Sequence, residues 1–369
     1  MKSKTIIKEL LKECKITING SNPYDIQIHN DKLYDRVLKQ GSLGLGEAYM
    51  DGWWDCEELD EFFNKILRND IEKRVKADLS LLLRIGWKSL FNINSKKAFE
   101  VGEKHYDIGN NLYKAMLDKR LTYTCAYWKD VDNLDEAQEA KLDLICRKIG
   151  LKKGQKVLDI GSGWGSFIKF AAEKYGVEAL GLTVSKEQKF LADKLNRGFL
   201  TETRVQDYRS LNEKFDKIVS IGMFEHVGYR SYREFMKVVH RSLNDEGLFL
   251  LHTIGGNISQ RSGDPWMDKY IFPNGMLPSI KQIGKSVEGL FVIEDIHNFG
   301  ADYDKTLMEW YKNFDKNWEI IKEDYNERFY RMWKYYLLSC AGSFRARKNQ
   351  LWQIVLSKKG VVGGYNFVR

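Results

Sequence analysis

Residues 157–167 read VLDIGSGWGSF, a short apolar run with one acid that leads into glycines at 161, 163 and 165. In an open parallel sheet, the turn after the first strand needs glycines so that the backbone can approach a ligand closely. A dinucleotide fingerprint, GxGxxG, would require glycine at Ser166, and the acid expected about 20 residues later is absent because the second strand ends in Leu182 and Thr183. The turn therefore indicates a ligand other than NAD.

Short apolar runs alternate with amphipathic helical segments from Lys156 onward. The runs read KVLDIG, EALGLTV, FDKIVSIG and GLFLLHTI. Apolar strands that alternate with helices are typical of a doubly wound parallel sheet that is buried on both faces. We therefore predict an α/β fold with a mostly parallel sheet, and we expect WQIVLSKKG, near the end of the chain, to form a late edge strand.

The length of 369 residues favours two domains. We predict a small, mostly helical accessory domain at 1–92, a polar linker at 93–103 and a catalytic domain at 104–369. Three of the four prolines fall within GDPWMDKYIFPNGMLPS, which indicates a long ordered loop over the site.

The formal net charge of +8 is unevenly distributed, since residues 328–369 hold nine basic side chains and no acid. Aromatic residues are interleaved with these charges. Such a segment could contact nucleic acid or an anionic lipid surface, or its charge could be balanced by acids elsewhere in the fold. The five scattered cysteines contain no CxxC pair, so we expect reduced thiols and neither disulfides nor a metal site.

Sequence blocks along nearly the whole chain resemble the cyclopropane-fatty-acyl-phospholipid synthase family, and they come in family order. They include GSLGLGEAYMDGWWDC, HYDIGNNLY, TYTCAYW, VLDIGSGWG, LTVSKEQ, VQDYR, SIGMFEHVG, LHTIG, DKYIFPNGMLPS, HNFGADYDKTL and CAGSFRAR. Two departures are Ser162, where many members carry cysteine, and Thr124, where many carry serine. An acid followed by GxGxG is also similar to the turn of S-adenosylmethionine enzymes.

The resemblance implies a Rossmann-like class I methyltransferase fold with a mostly parallel seven-stranded sheet. It also implies transfer of the methyl group of S-adenosylmethionine to a cis double bond of an unsaturated phospholipid acyl chain, followed by deprotonation and ring closure. Bound bicarbonate would be the base, held by residues that match Cys125, Glu225, His252, Ile254 and Tyr303. His252 and Tyr303 can donate hydrogen bonds to an anion, Glu225 can accept one, and the other two would contribute backbone groups.

Cofactor contacts also follow from the resemblance. They match Tyr123, Thr124, Gly161, Gly163, Trp164, Thr183, Gln188, Gln206, Asp207 and Tyr208. We expect Asp159 to order the backbone amides of the turn. Cys340, in CAGSFR, is expected to lie near the substrate or to be structural, because attack of an alkene on a methyl group requires no enzyme nucleophile.

A lipid substrate would require docking at a bilayer without spanning it. Candidate docking segments are LSLLLRIGWKSLF, at residues 79–91, and the acid-free segment 328–369. We therefore expect a cytoplasmic homodimer at the inner face of the membrane, with an anionic membrane surface as partner and no nucleic acid. Two alternatives remain open: a small-molecule N-methyltransferase, and a non-catalytic lipid-surface protein that kept the fold.

Overall fold

The computed structural model describes residues 2–71 and 109–369. These residues form two compact units, neither of which is continuous in sequence. The helical unit comprises the described residues of 1–116 together with 263–274 and 307–349, and the sheet unit comprises 117–262, 275–306 and 350–369. The boundary at residue 92 and the linker at 93–103 lie outside the described residues, so the domain division stays a prediction.

The elements have the following bounds. The strands are β1 (Gln27–Ile28), β2 (Trp54–Asp55), β3 (Lys156–Ile160), β4 (Glu178–Thr183), β5 (Thr201–Val205), β6 (Phe215–Ile221), β7 (Leu243–Gly256), β8 (Val292–Asn298) and β9 (Asn349–Ser357). The helices are α1 (Lys2–Glu13), α2 (Lys32–Met50), α3 (Leu59–Arg68), α4 (Asn110–Met116), α5 (Leu134–Lys148), α6 (Ser166–Tyr175), α7 (Lys186–Leu195), α8 (Tyr232–Ser242), α9 (Pro265–Tyr270), α10 (Ile280–Val287), α11 (Ala301–Lys316), α12 (Trp318–Ile321) and α13 (Glu327–Arg345).

The sheet unit contains a seven-stranded sheet in the order β5-β4-β3-β6-β7-β9-β8. The first five strands of this order are paired in parallel, and β8 is antiparallel to β9. The predicted α/β fold with a mostly parallel seven-stranded sheet and a helical N-terminal region is confirmed. The edge position predicted for WQIVLSKKG is wrong, because β9 lies between β7 and β8.

Helices cover both faces of the sheet. On one face, Leu142 and Ile145 of α5 pack with Phe167 of α6 against Val157 and Val219 of the strands. On the other face, α8 and α10 pack against a second buried cluster that includes Leu158 and Phe249. Because the strands are covered on both sides, their apolar runs are continuous rather than alternating.

In the helical unit, α13 packs against α2 and α3. At Gly342 of α13, a Cβ would lie 2.3 Å from the carbonyl oxygen of Asp60, so only glycine permits this approach. The proline-rich segment contributes α9, which begins after Asp264; this carboxylate accepts from the amides of Trp266 and Met267.

Acids from distant parts of the chain pair with most of the cations of 328–369. In the helical unit, the pairs are Arg328–Asp51, Arg331–Asp55, Arg345–Asp60 and Lys348–Asp70. In the sheet unit, Lys358 and Lys359 pair with Asp245, and Arg369 pairs with Asp295. The structure therefore supports balance of this charge within the fold. The other docking candidate, LSLLLRIGWKSLF, lies outside the described residues.

A search of the described residues for an apolar helix of membrane-spanning length finds none.

Candidate active site

The glycine turn joins β3 to α6 at the carboxyl edge of the sheet. Gly161, Gly163 and Gly165 all have positive φ, a region that glycine adopts without strain. A Cβ at Gly161 would also lie 2.6 Å from the side chain of Met223. At Gly163, no described atom lies within 4 Å of the Cβ position. The backbone at Gly163 is therefore open to close approach by a ligand.

Two residues between the glycines of the turn, Ser162 and Trp164, are buried. The hydroxyl of Ser162 donates to the carbonyl oxygen of Leu182, 3.3 Å away. This side chain faces β4, so serine in place of cysteine alters a strand contact.

Asp159, on β3, is buried beneath the turn, and burial raises the pKa of its carboxyl to about 7. Its Oδ1 has no hydrogen-bond partner among the described residues. The structure therefore does not give this oxygen the predicted role of ordering the turn amides.

A fully buried lysine, Lys141 of α5, faces the same region and was not predicted. Its ammonium donates to the hydroxyl of Thr124, 2.8 Å away. Burial lowers the pKa of Lys141 to about 8, against the opposing influence of Asp118, Cys125 and Asp159. In the sequence, EAKLDL resembles any amphipathic helix, so nothing distinguishes this lysine from an exposed one.

The segment that contains Tyr123, Thr124 and Cys125 is held from two sides. Gln138 of α5 donates to the carbonyl oxygen of Thr124 at 2.8 Å. On the other side, Thr306 of α11 accepts from the amide of Ala126 at 3.1 Å. These contacts bring the segment to α11, which also carries the buried Tyr303. Cys125 is fully buried, and burial raises the pKa of its thiol, so it is not a thiolate at neutral pH.

Glu225 and Ile254 lie in direct contact. Glu225 is on a 3₁₀ turn after β6, and its Oε1 accepts from the amide of Ile254 on β7 at 2.6 Å. Its Oε2 is buried without a partner among the described residues. Burial raises the pKa of Glu225 to about 7. This carboxyl therefore keeps one unpaired oxygen and titrates near neutral pH.

His252 lies two residues earlier on β7 and is also buried. Its Nδ1 is 3.3 Å from Nε2 of Gln353 on β9, whereas its own Nε2 has no partner in the part of the chain that the structure describes. Burial holds the pKa of His252 well below its usual range, and the charges of Lys141 and Lys148 lower it further. The imidazole is therefore neutral.

The remaining predicted cofactor residues follow β4 and β5, the strands next to β3. The hydroxyl of Thr183 donates a hydrogen bond to Oε1 of Gln188 at 2.7 Å and accepts one from the backbone amide of Ser185. The amide of Gln206 donates to the carbonyl oxygen of Thr183. Because parallel strands end at one edge, these residues share the edge of the sheet with the glycine turn.

Two further residues of this group have partners of their own. The Asp207 carboxylate is paired with Arg209, and the ring of Tyr208 packs edge-on against Phe235.

Cys340 is not brought into this group by the sheet, since it lies on α13 of the helical unit. Loss of hydration raises the pKa of its thiol to about 12, so Cys340 is protonated at neutral pH. None of the five cysteines, all of which the structure describes, forms a disulfide. Within 2–71 and 109–369, no three histidine, cysteine or acidic residues are grouped as metal ligands would be.

Comparisons with known proteins agree with this geometry. The model of the family "Mycolic acid cyclopropane synthetase" matches residues 93–354. The cyclopropane-fatty-acyl-phospholipid synthase of Escherichia coli strain K12 is 53% identical over 365 residues, which are 99% of this chain and 95% of that protein.

Solved structures give the same result. The cyclopropane synthase MmaA2 from Mycobacterium tuberculosis has a TM-score of 0.66 at 30% identity, over 72% of this chain and 100% of that chain. The mycolic acid cyclopropane synthase CmaA1, complexed with SAH and CTAB, has a TM-score of 0.65 at 34% identity, over 70% and 98% of the two chains. The resemblance found in the sequence is confirmed: this chain belongs to the mycolic acid cyclopropane synthetase family and is an S-adenosylmethionine-dependent methyltransferase.

Proposed function

We propose that this chain is a cyclopropane fatty acid synthase that acts on unsaturated phospholipid acyl chains. The methyl group of S-adenosylmethionine is transferred to one carbon of a cis double bond, and the resulting carbocation loses a proton from the added methyl carbon as the three-membered ring closes. The observation that carries this proposal is the 53% identity to the Escherichia coli synthase over 99% of the chain, a match that extends into the helical N-terminal region.

The residues at the edge of β3, β4 and β5 fit S-adenosylmethionine. The Gly163 backbone is open to close approach, and the hydroxyl of Thr183 and the carboxylate of Asp207 lie at the ends of the neighbouring strands. When bound, the cofactor supplies a methyl group on a positively charged sulfur. The role of this chain is to hold that methyl at attack distance from the alkene, which lowers the entropic part of the barrier.

Exclusion of water is the second role of the chain. An alkyl carbocation reacts with any adjacent water, so the site has to be dry. Cys125, His252 and Thr253 are at most 1% exposed. Because burial keeps Cys125 as a thiol, this residue of the proposed site presents no thiolate to a cation.

The two unpaired buried atoms fit hydrogencarbonate, which carries both a hydroxyl donor and oxygen acceptors. Oε2 of Glu225 can accept from the hydroxyl, and an N–H of His252 can donate to an oxygen. The buried charges of Lys141 and Lys148, which lower the pKa of His252, also favour an anion. When bound, the anion supplies the base that takes up the leftover proton. Cys125, Ile254 and Tyr303 complete the proposed set.

The experiment is incubation of the purified protein with labelled S-adenosylmethionine and an oleoyl phospholipid, followed by mass spectrometry of the acyl chains. We expect chains that are heavier by one methylene and have lost the double bond through ring formation. A methyl-branched, still unsaturated chain would refute ring closure. Methylation of amines alone would select the N-methyltransferase alternative, and no transfer would select the non-catalytic one.

We also propose peripheral docking of a homodimer on the anionic inner face of the membrane, because the substrate lies in a bilayer. Among the described residues, acids pair with at least seven of the nine cations of 328–369, so this segment gives weaker support than its charge indicates. Sedimentation with anionic liposomes at rising ionic strength tests docking, and light scattering tests the dimer. Binding that is absent or independent of salt would refute electrostatic docking.

A further inference from the structure

Gln353 lies on β9, next to β7 in the sheet, and its side chain is fully buried. Gln353 is not among the site residues predicted from the sequence. Its Nε2 is 3.3 Å from Nδ1 of His252, whereas its Oε1 has no partner among the residues described. Burial of an amide oxygen without a hydrogen-bond partner costs folding free energy, so a role in the site is a physical reason for a glutamine at this position.

The contact fixes the position of a proton. An amide NH₂ group can only donate, so Nδ1 of His252 has to accept. A neutral imidazole carries one N–H, and that proton therefore lies on Nε2. Neutrality follows from burial and from the nearby charges of Lys141 and Lys148, which hold the pKa of His252 low.

We infer that Gln353 is a positioning residue that holds His252 as its Nε2–H tautomer, so that the ring nitrogen without a protein partner becomes a hydrogen-bond donor. The opposite tautomer would direct a lone pair at the oxygen of an anion and repel it. With the Nε2–H tautomer, His252 supplies a donor and Oε2 of Glu225 supplies an acceptor, as hydrogencarbonate requires. This role in the reaction rests on the proposed function, whereas the tautomer itself does not.

The tautomer is measured without any turnover, by long-range ¹H–¹⁵N correlation spectra of protein labelled at its six histidines. His252→Gln assigns the His252 signals by their loss. We expect the Nε2–H pattern in the unmodified protein. In Gln353→Met, the unprotonated Nδ1 loses its donor, and we expect its resonance to move to lower field. An Nδ1–H pattern in the unmodified protein, or an unmoved Nδ1 resonance in the variant, overturns the inference.

A matched control is Gln350→Met, on the same strand. Gln350 is also buried, but its amide donates to Asn257 rather than to His252. We expect this variant to leave the His252 resonances in place. A shift as large as that of Gln353→Met would show that any loss of a buried glutamine perturbs the ring, and would overturn the specific role of Gln353.

Kinetics then test the role in the reaction. Loss of one hydrogen bond that orients a group toward a charged ligand corresponds to about a 10- to 100-fold lower kcat in Gln353→Met. We expect an unchanged KM for S-adenosylmethionine. Equal loss in both glutamine variants, or a loss confined to KM, would refute positioning. If the spectra show the Nε2–H tautomer but the unmodified protein forms no ring, the proposed function fails and the tautomer stands.

Discussion

Replacement of Glu225 by glutamine should stabilise the protein above neutral pH while it slows the reaction. Burial raises the pKa of this carboxyl from 4.5 to about 7. Below pH 4.5, it is protonated in both the folded and the unfolded chain, so its contribution to stability is fully present. Between pH 4.5 and about 7, the unfolded chain has released this proton while the folded chain still holds it, so that stability declines with rising pH and is gone once the folded carboxyl ionises.

The size of the loss follows from the pKa values. A rise in pKa from 4.5 to about 7 corresponds to about 3 kcal/mol of folding free energy. Glutamine has no proton to lose, and it can still accept from the amide of Ile254. Part of this is already lost at pH 5, so we expect the stability of Glu225→Gln relative to the unmodified protein to increase by about 2.5 kcal/mol between pH 5 and pH 8.

The assay is urea unfolding of both proteins at the two pH values, with Glu319→Gln as control. The side chain of Glu319 is 75% exposed, and we expect this substitution to change stability by less than about 0.5 kcal/mol at either pH. Calorimetry with S-adenosylhomocysteine should show retained binding in Glu225→Gln, while kcat falls about 100-fold or more. A stability difference that does not change with pH, or lost binding with normal turnover, would refute the reasoning.

Three further outcomes are expected. Gly161→Ala should lower the melting temperature more than Gly163→Ala does, since only the first adds a steric clash with Met223 to the strain of positive φ; equal melting temperatures in calorimetry would contradict this. Burial lowers the pKa of Lys141 from 10.5 to about 8, so the charged lysine costs folding free energy below pH 8; relative to the unmodified protein, Lys141→Met should therefore be more stable at pH 7 than at pH 10 in urea unfolding, and a stability difference that is the same at both pH values would exclude this. Arg369→Ala leaves the buried Asp295 short of one cation, so stability at pH 7 should fall, and recovery in Arg369→Lys would show that charge is the cause.

The strands that carry the site could be predicted because they are covered on both faces, which makes their apolar runs long and unbroken. The strand β8 was missed for the opposite reason: VIEDIHN is half exposed, and its polar residues conceal the pattern. Without β8, the sequence WQIVLSKKG looks like the last strand of the sheet, so its edge position was predicted wrongly.

Lys141 and Gln353 could not be predicted, because their importance lies in burial. Both stand in ordinary amphipathic or apolar segments, and only the packed sheet unit removes them from water. For the segment 328–369, the sequence suggests an importance that the folded structure reduces. Its cations look unbalanced in a local count, yet the acids that pair with them come from positions near 51, 55, 60, 70, 245 and 295.

The packing of α13 against α2 and α3 has a consequence for synthesis on the ribosome. The helical unit takes its N-terminal segment from residues 2–71 and its largest partner helix from 327–345. The early segment therefore emerges with its apolar face uncovered and remains so until about the last tenth of the chain has been translated, because folding proceeds only when both partners are present. Nascent chains stalled before α13 should be bound by chaperones and cut readily by proteases.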